Sequence, residues 1–213
     1  MSRVAYSLGD IRFSQRELKD FAIAWLALGV AFTFFLTPGL IQQLQFGQIR
    51  PNALVQALTL SMITVGAGFL LHELAHKVVA IRFGQIAEFR ADYGMLGLAV
   101  VAGLAGFLFA APGAVHHRGR ITIRENGLIA LAGPLVNVAL AVVFFIPALF
   151  GTGFVAAVGN IGFIINVLLA GFNMIPFGPL DGRTVLDWNP VIFAAVFLPT
   201  AGFGVWLLFG GLF

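Results

Sequence analysis

Cysteine is absent from the 213-residue chain, and charge is scarce: 12 Lys and Arg stand against 9 Asp and Glu. The first absence excludes a disulfide scaffold, a thiolate nucleophile and cysteine ligands, so a metal site would have to use His, Asp or Glu. The second excludes a water-soluble domain. Soluble domains carry roughly a quarter charged residues, whereas here the share is 10 %, against 60 % hydrophobic residues. With a mean hydropathy of +0.98, the composition is that of an integral membrane protein. A sequence pI near 10 does not indicate a nucleic-acid partner, because the basic residues are scattered between apolar runs and form no stripe.

The first 20 residues hold Arg3, Asp10, Arg12, Arg16, Glu17, Lys19 and Asp20 and read as a cytoplasmic N-terminal segment. Apolar runs then cover 21–38, 53–81, 94–115, 128–150, 154–175 and 191–213, each near the ~20 residues that a bilayer requires. No small-x-small cleavage pattern follows the first run, so it reads as an uncleaved span. If every run crosses, Lys and Arg divide 7 inside to 5 outside. If 94–115 dips in and returns, Arg118, Arg120, Arg124 and Arg183 move inside, and the division becomes 11 to 1, with Arg50 alone outside. The positive-inside rule selects the second topology. Gly94, Gly97, Gly103, Gly106 and Pro112-Gly113 also suit a broken, protein-covered element. Residues 120–124 alternate with period two and predict a short surface strand at Ile121 to Ile123. The expected fold class is an all-α polytopic membrane protein of five to six transmembrane helices. A re-entrant or short β element follows the second span.

That span contains His72-Glu73-Leu74-Ala75-His76. Histidines four apart share one helix face and can hold one metal, and a glutamate beside them can take a proton from water. A chance match over the whole chain has a probability of roughly 0.001 at this residue usage. Buried ionisable groups are too costly in a membrane for a pair of packing histidines to be the better reading. A hydrolytic zinc usually takes three protein ligands. Among the few acids, Asp181 follows an apolar run interrupted by Pro176, Gly178 and Pro179, where the helix must break and the carboxylate can turn inward. Asp181 reaches the face of His76 only in the re-entrant topology, so the ligand requirement and the charge count agree.

These residues, in this order, resemble the site-2 protease family of intramembrane zinc metalloproteases. The matching segments are His72-Glu73-Leu74-Ala75-His76, Gly133-Pro134-Leu135-Val136-Asn137, and Asn173 through Pro176 and Pro179 to Leu180-Asp181-Gly182. The resemblance implies one Zn2+ per chain on His72, His76 and Asp181, with Glu73 as general base and acid. It further implies Asn173 as a substrate or oxyanion contact, and Asn137 as a site residue of open role. One membrane-embedded domain over 1–213 is expected, with a catalytic core at about 53–182. Its substrates would be single-span, regulatory membrane proteins in the bilayer of a multi-pass, cell-membrane enzyme, with no nucleic acid and an open oligomeric state. Asn137 and Asn166 could equally serve as interhelical hydrogen-bond partners. His116-His117 reads as a solvated pair on a basic loop, and Glu88 and Asp92 as interfacial ion-pair partners of Arg82 and Arg90. A divalent-metal transporter and a catalytically silent metal-binding scaffold are the competing classes; a transporter generally repeats ligands along a path, and this sequence has one cluster.

Overall fold

The computed structural model describes residues 4–8, 11–37, 39–48, 50–107 and 112–209. A hairpin of β1 (Val4–Leu8) and β2 (Ile11–Ser14) leads into helix α1 (Gln15–Leu36). Ser14 caps α1 by accepting the Glu17 N–H at 3.0 Å, satisfying a donor that the first turn leaves without a helical partner. After the short α2 (Leu40–Gln45), α3 (Pro51–Ser61) and α4 (Ala67–Arg82) run together through a π-helical turn at Met62–Gly66. There the Trp25 indole donates to the Met62 carbonyl at 3.1 Å, a contact that the widened turn opens. The chain continues through β3 (Ile86–Ala91), α5 (Tyr93–Leu104), β4 (Gly113–Arg118), α6 (Ile123–Phe150), α7 (Gly153–Asn173), α8 (Asp181–Trp188) and α9 (Pro190–Phe209).

Five stretches are long and apolar enough to cross a membrane: Gln15–Leu36, Pro51–Arg82, Ile123–Phe150, Gly153–Asn173 and Pro190–Leu207. The fold is an all-α, multi-pass membrane architecture. Between the second and third stretches, β3 and β4 pair antiparallel with Ala91 opposite Gly113. The insertion between them therefore begins and ends side by side. Its helix α5 has 12 residues, about 18 Å of length, too short for a hydrocarbon core of about 30 Å. This is the return to the starting face that the charge count required; residues 108–111 of the insertion lie outside the described residues.

One expectation is corrected. The alternation at 120–124 is not a strand. Thr122 caps α6 and accepts the Glu125 N–H at 3.2 Å, while the Glu125 carboxylate accepts the Thr122 N–H at 2.8 Å. A reciprocal capping box occupies these residues, and the strands lie at 86–91 and 113–118 instead. Helix α1 begins at Gln15, within the charged N-terminal segment, and Glu17 and Asp20 are buried in the bundle.

Those two acids join α1 to α4 and β3. Lys77 Nζ donates to both Glu17 carboxylate oxygens at 2.5 Å and to the Arg12 carbonyl at 2.8 Å. Glu17 also accepts the Phe89 N–H at 2.9 Å. Asp20 accepts the Tyr93 hydroxyl at 2.6 Å and the Ala91 N–H at 3.4 Å. Two N–H groups on the outer edge of β3, those of Phe89 and Ala91, are thus taken up by α1. Lys77→Met removes one partner of a fully buried pair and leaves Glu17 uncompensated, a change that typically costs about 3–5 kcal/mol. Thermal unfolding in detergent should show a marked drop for Lys77→Met, with partial recovery in Lys77→Met/Glu17→Gln.

Candidate metal centre

His72 and His76 lie on one face of α4, with their Nε2 atoms 3.0 Å apart. Asp181 Oδ2 is 3.3 Å from each. Among the described residues, this is the one group of three His or acidic side chains whose donor atoms lie within 4.8 Å of one another. His76 sits six residues before the end of α4, about 9 Å from it, so the cluster lies near the face from which β3 emerges. Asp181 arrives from the end of α7. Pro176 and Pro179 cannot extend the helix, and Gly178 takes φ +63°, a value that favours glycine. The chain therefore turns and restarts as α8 at Asp181. Val185 then anchors α8 against Ala130, Leu131 and Met174.

The hydrogen-bond network determines which ring nitrogens carry protons. His76 Nδ1 lies 2.7 Å from the Ile129 carbonyl. A carbonyl only accepts, so Nδ1 carries a proton, and in the neutral ring that a metal requires Nε2 presents the lone pair. For His72 the same result follows through two amides. Asn166 Nδ2 donates to the Gly162 carbonyl at 2.8 Å, which turns Asn166 Oδ1 toward Asn137 Nδ2 at 2.9 Å. Asn137 Nδ2 also donates to the Gly68 carbonyl at 3.3 Å. Asn137 Oδ1 must then face His72 Nδ1, at 2.6 Å. Both imidazoles are held as Nδ1–H tautomers with Nε2 directed at Asp181.

Two lone pairs and a buried carboxylate oxygen with no hydrogen-bond donor converge here, a mutually repulsive set unless a cation lies between them. A tetrahedral zinc with ligand bonds of about 2.0–2.1 Å places its donors about 3.3–3.4 Å apart. The observed separations of 3.0, 3.3 and 3.3 Å fit that ion. Gly133 explains the close approach of α6: a Cβ there would overlap Nε2 of both histidines. In Gly133-Pro134-Leu135-Val136-Asn137, the glycine makes room for the two rings and the asparagine orients one of them. Partners of this outer kind are typically worth 10–100-fold in metal affinity. Asn137→Ala should weaken zinc binding by about that factor in chelator competition, and Asn137→Gln should not restore it, because the longer amide cannot keep both contacts.

Glu73 shares the cavity with the ligand set and accepts the Val115 N–H of β4 at 3.1 Å. Opposite Val115, the Phe89 N–H points to Glu17, so this is a non-hydrogen-bonded pair of the sheet. By the antiparallel alternation, Gly113, Val115 and His117 direct their peptide groups to the outer edge of β4. That edge borders a cavity of about 600 Å3 that also contains His72, Glu73, His76, Asp181 and Asn173. Asn173 Nδ2 donates to the Leu169 carbonyl of its own helix at 2.9 Å, and one of its amide protons is left for the cavity. Asn166 belongs to the relay behind His72 and is not paired with Asn173. A groove of about 680 Å3 near the far end of α1 is lined by no titratable residue.

Sequence reasoning missed His117. It lines the cavity while His116 is exposed on the other face of the strand. Adjacent histidines separate in this way only in a strand, and the strand was expected nearer to Arg120. Burial holds the His117 imidazole below its ordinary pKa. Glu88 stays outside the site and pairs with Arg90 at 2.6 Å, in line with its basic neighbours. Asp92 instead caps α5, accepting the Met95 N–H at 3.0 Å.

A buried two-histidine, one-carboxylate centre with an adjacent glutamate, set in a multi-pass helical bundle, defines a membrane-embedded metalloprotein. The chain is 45 % identical over 202 residues to "Putative zinc metalloprotease MJ0611" of Methanocaldococcus jannaschii, an alignment covering 93 % of this chain and 97 % of that protein. It is 32 % identical over 148 residues to "Putative zinc metalloprotease YwhC" of Bacillus subtilis, covering 59 % and 67 % respectively. The chain belongs to this family of zinc metalloproteases. No family model matches the chain. No solved structure matches it either.

Proposed function

We propose that the chain is an intramembrane zinc metalloprotease of the site-2 protease type that hydrolyses a peptide bond within or beside the transmembrane segment of single-span, regulatory membrane proteins. The observation that carries this reading is Glu73, poised on a cavity between spanning helices and next to three convergent metal donors. When held by His72, His76 and Asp181, zinc supplies a Lewis acid that acidifies water and polarises a peptide carbonyl. Glu73 then accepts the proton of the attacking water and returns it to the leaving amide nitrogen. The Val115 N–H holds Glu73 Oε2, which leaves Oε1 for that transfer. The remaining N–H of Asn173 donates to the developing oxyanion.

A substrate helix pairs its own peptide groups and has to unwind before it can be cut. The outer edge of β4 receives the unwound segment by strand addition, the part expected of Ile121 to Ile123, which form no strand. Glu17 and Asp20 occupy the opposite edge of the sheet, so added chain is directed to the cavity side. The N-terminus lies in the cytoplasm of a cell-membrane protein. The 11-to-1 division of basic residues supports this, as does the position of the cluster near the β3–β4 face. Single cysteines at positions 118 and 183 of this Cys-free chain should both label from the cytoplasmic side; labelling from opposite sides would overturn this topology.

The direct test is a panel of single-span membrane proteins reconstituted with the wild-type chain and zinc, with cut sites mapped by mass spectrometry. Cleavage inside or at the edge of the span is the expected result. A chain that releases no fragment from any member of the panel and instead carries zinc across the bilayer would be the transporter. Zinc retention with neither activity would indicate the scaffold.

A further inference from the structure

Resting on the protease reading, we propose that His117 is a substrate-contacting residue of the cavity: its imidazole hydrogen-bonds the backbone of the unwound substrate segment beside the scissile bond. The argument begins with β4. Val115 and His117 share one face and one edge of the strand, and two residues of strand advance about 6.8 Å. The Val115 N–H is committed to Glu73. The next residue on that edge and face is His117, one step farther from the glutamate along the line that an added strand would follow.

The His117 ring is half-buried in the cavity wall and makes no hydrogen bond to the protein among the described residues. A half-buried imidazole with no protein partner is free to bond a group that enters the cavity. A neutral imidazole offers one donor and one acceptor, the same pair that a peptide unit offers once it has left its helix. The charged wall around His72, His76 and Asp181 is set apart for metal. The opposite side of β4 carries the exposed His116 and Arg118. His117 is therefore the titratable side chain of the strand that an extended peptide meets after passing Glu73.

The test uses the full-length, zinc-loaded protein in proteoliposomes and the panel member that the wild type cleaves fastest. His117→Ala should lower kcat/KM by roughly tenfold, the size of one lost hydrogen bond to substrate, mostly through KM. Zinc content should stay at one per chain, and His117→Gln should regain most of the loss. Single cysteines at 117 and 116, placed in the Glu73→Gln background to retain substrate, report contact directly. A cysteine at 117 should form disulfides with substrate cysteines within about four residues of the mapped cut, and a cysteine at 116 should not. Unchanged kcat/KM in His117→Ala, parallel loss of zinc, or cross-linking from 116 in place of 117 would each overturn the inference while wild-type cleavage stands. A wild type that cleaves no member of the panel overturns the protease reading, and the inference with it.

Discussion

Glu73→Gln is expected to lose cleavage by a factor of about 10²–10⁴, the usual contribution of a positioned acid–base group, with zinc still bound at one ion per chain. The substitution is isosteric and keeps the contact to β4, since the Gln carbonyl oxygen can accept the Val115 N–H where Glu73 Oε2 accepts it now at 3.1 Å. It leaves the three convergent donors in place. What it removes is the capacity to take and return a proton. Fragment release and metal content, measured on the same preparation, separate the outcomes. Activity and zinc lost together would make Glu73 a ligand; activity retained would put the base elsewhere.

Asp181→Ala should do the opposite, with metal and cleavage disappearing together. The change removes the one anionic donor and leaves two neutral imidazoles, and the loss should exceed the 10–100-fold expected for an outer hydrogen-bond partner such as Asn137. The fold should persist, because α8 is held by Val185 against Ala130, Leu131 and Met174 and not by the carboxylate. Zinc retained after dialysis with the wild-type unfolding temperature would refute Asp181 as a ligand. A variant that lost zinc because it had unfolded would show a lowered transition temperature, and Asp181→Asn, nearly isosteric, would then separate ligand loss from a packing defect.

Much of this site was legible because its chemistry is local or forced by topology. The i, i+4 spacing of His72 and His76 is a helix-face argument that needs no tertiary information. Asp181 was reached from two prolines and a glycine that oblige the chain to turn, together with a charge count that fixes which face it turns toward. The illegible parts depend on partners far away in sequence. Nothing in the sequence singled out Glu17 among the N-terminal charges, because Lys77, 60 residues on, gives no sign of being buried against it. Asn166 and Asn137 were interchangeable with packing asparagines until the Gly162 carbonyl gave their amides a direction. The strand misplaced at 120–124 shows a local ambiguity of another kind. Thr122 and Glu125 make a capping box whose flanking isoleucines and arginines mimic period two, whereas β4 owes its existence to β3 and has little alternation of its own.

The side-by-side ends of the 92–112 insertion carry a consequence of parity. Whatever length of chain lies between Ala91 and Gly113 adds an even number of crossings, so it cannot invert anything that follows. Chain can be inserted there, even a whole soluble module, and Asp181 will still arrive on the side of the bilayer where His72 and His76 wait for it, provided α5 keeps its packing of Leu96 and Gly103 against α1. An equal change in the Gly151-Thr152 turn between α6 and α7 has no such protection. Of the two, the β3–β4 loop is the position where this architecture can be lengthened freely, and the place at which a reporter domain should be inserted if cleavage is to survive the fusion.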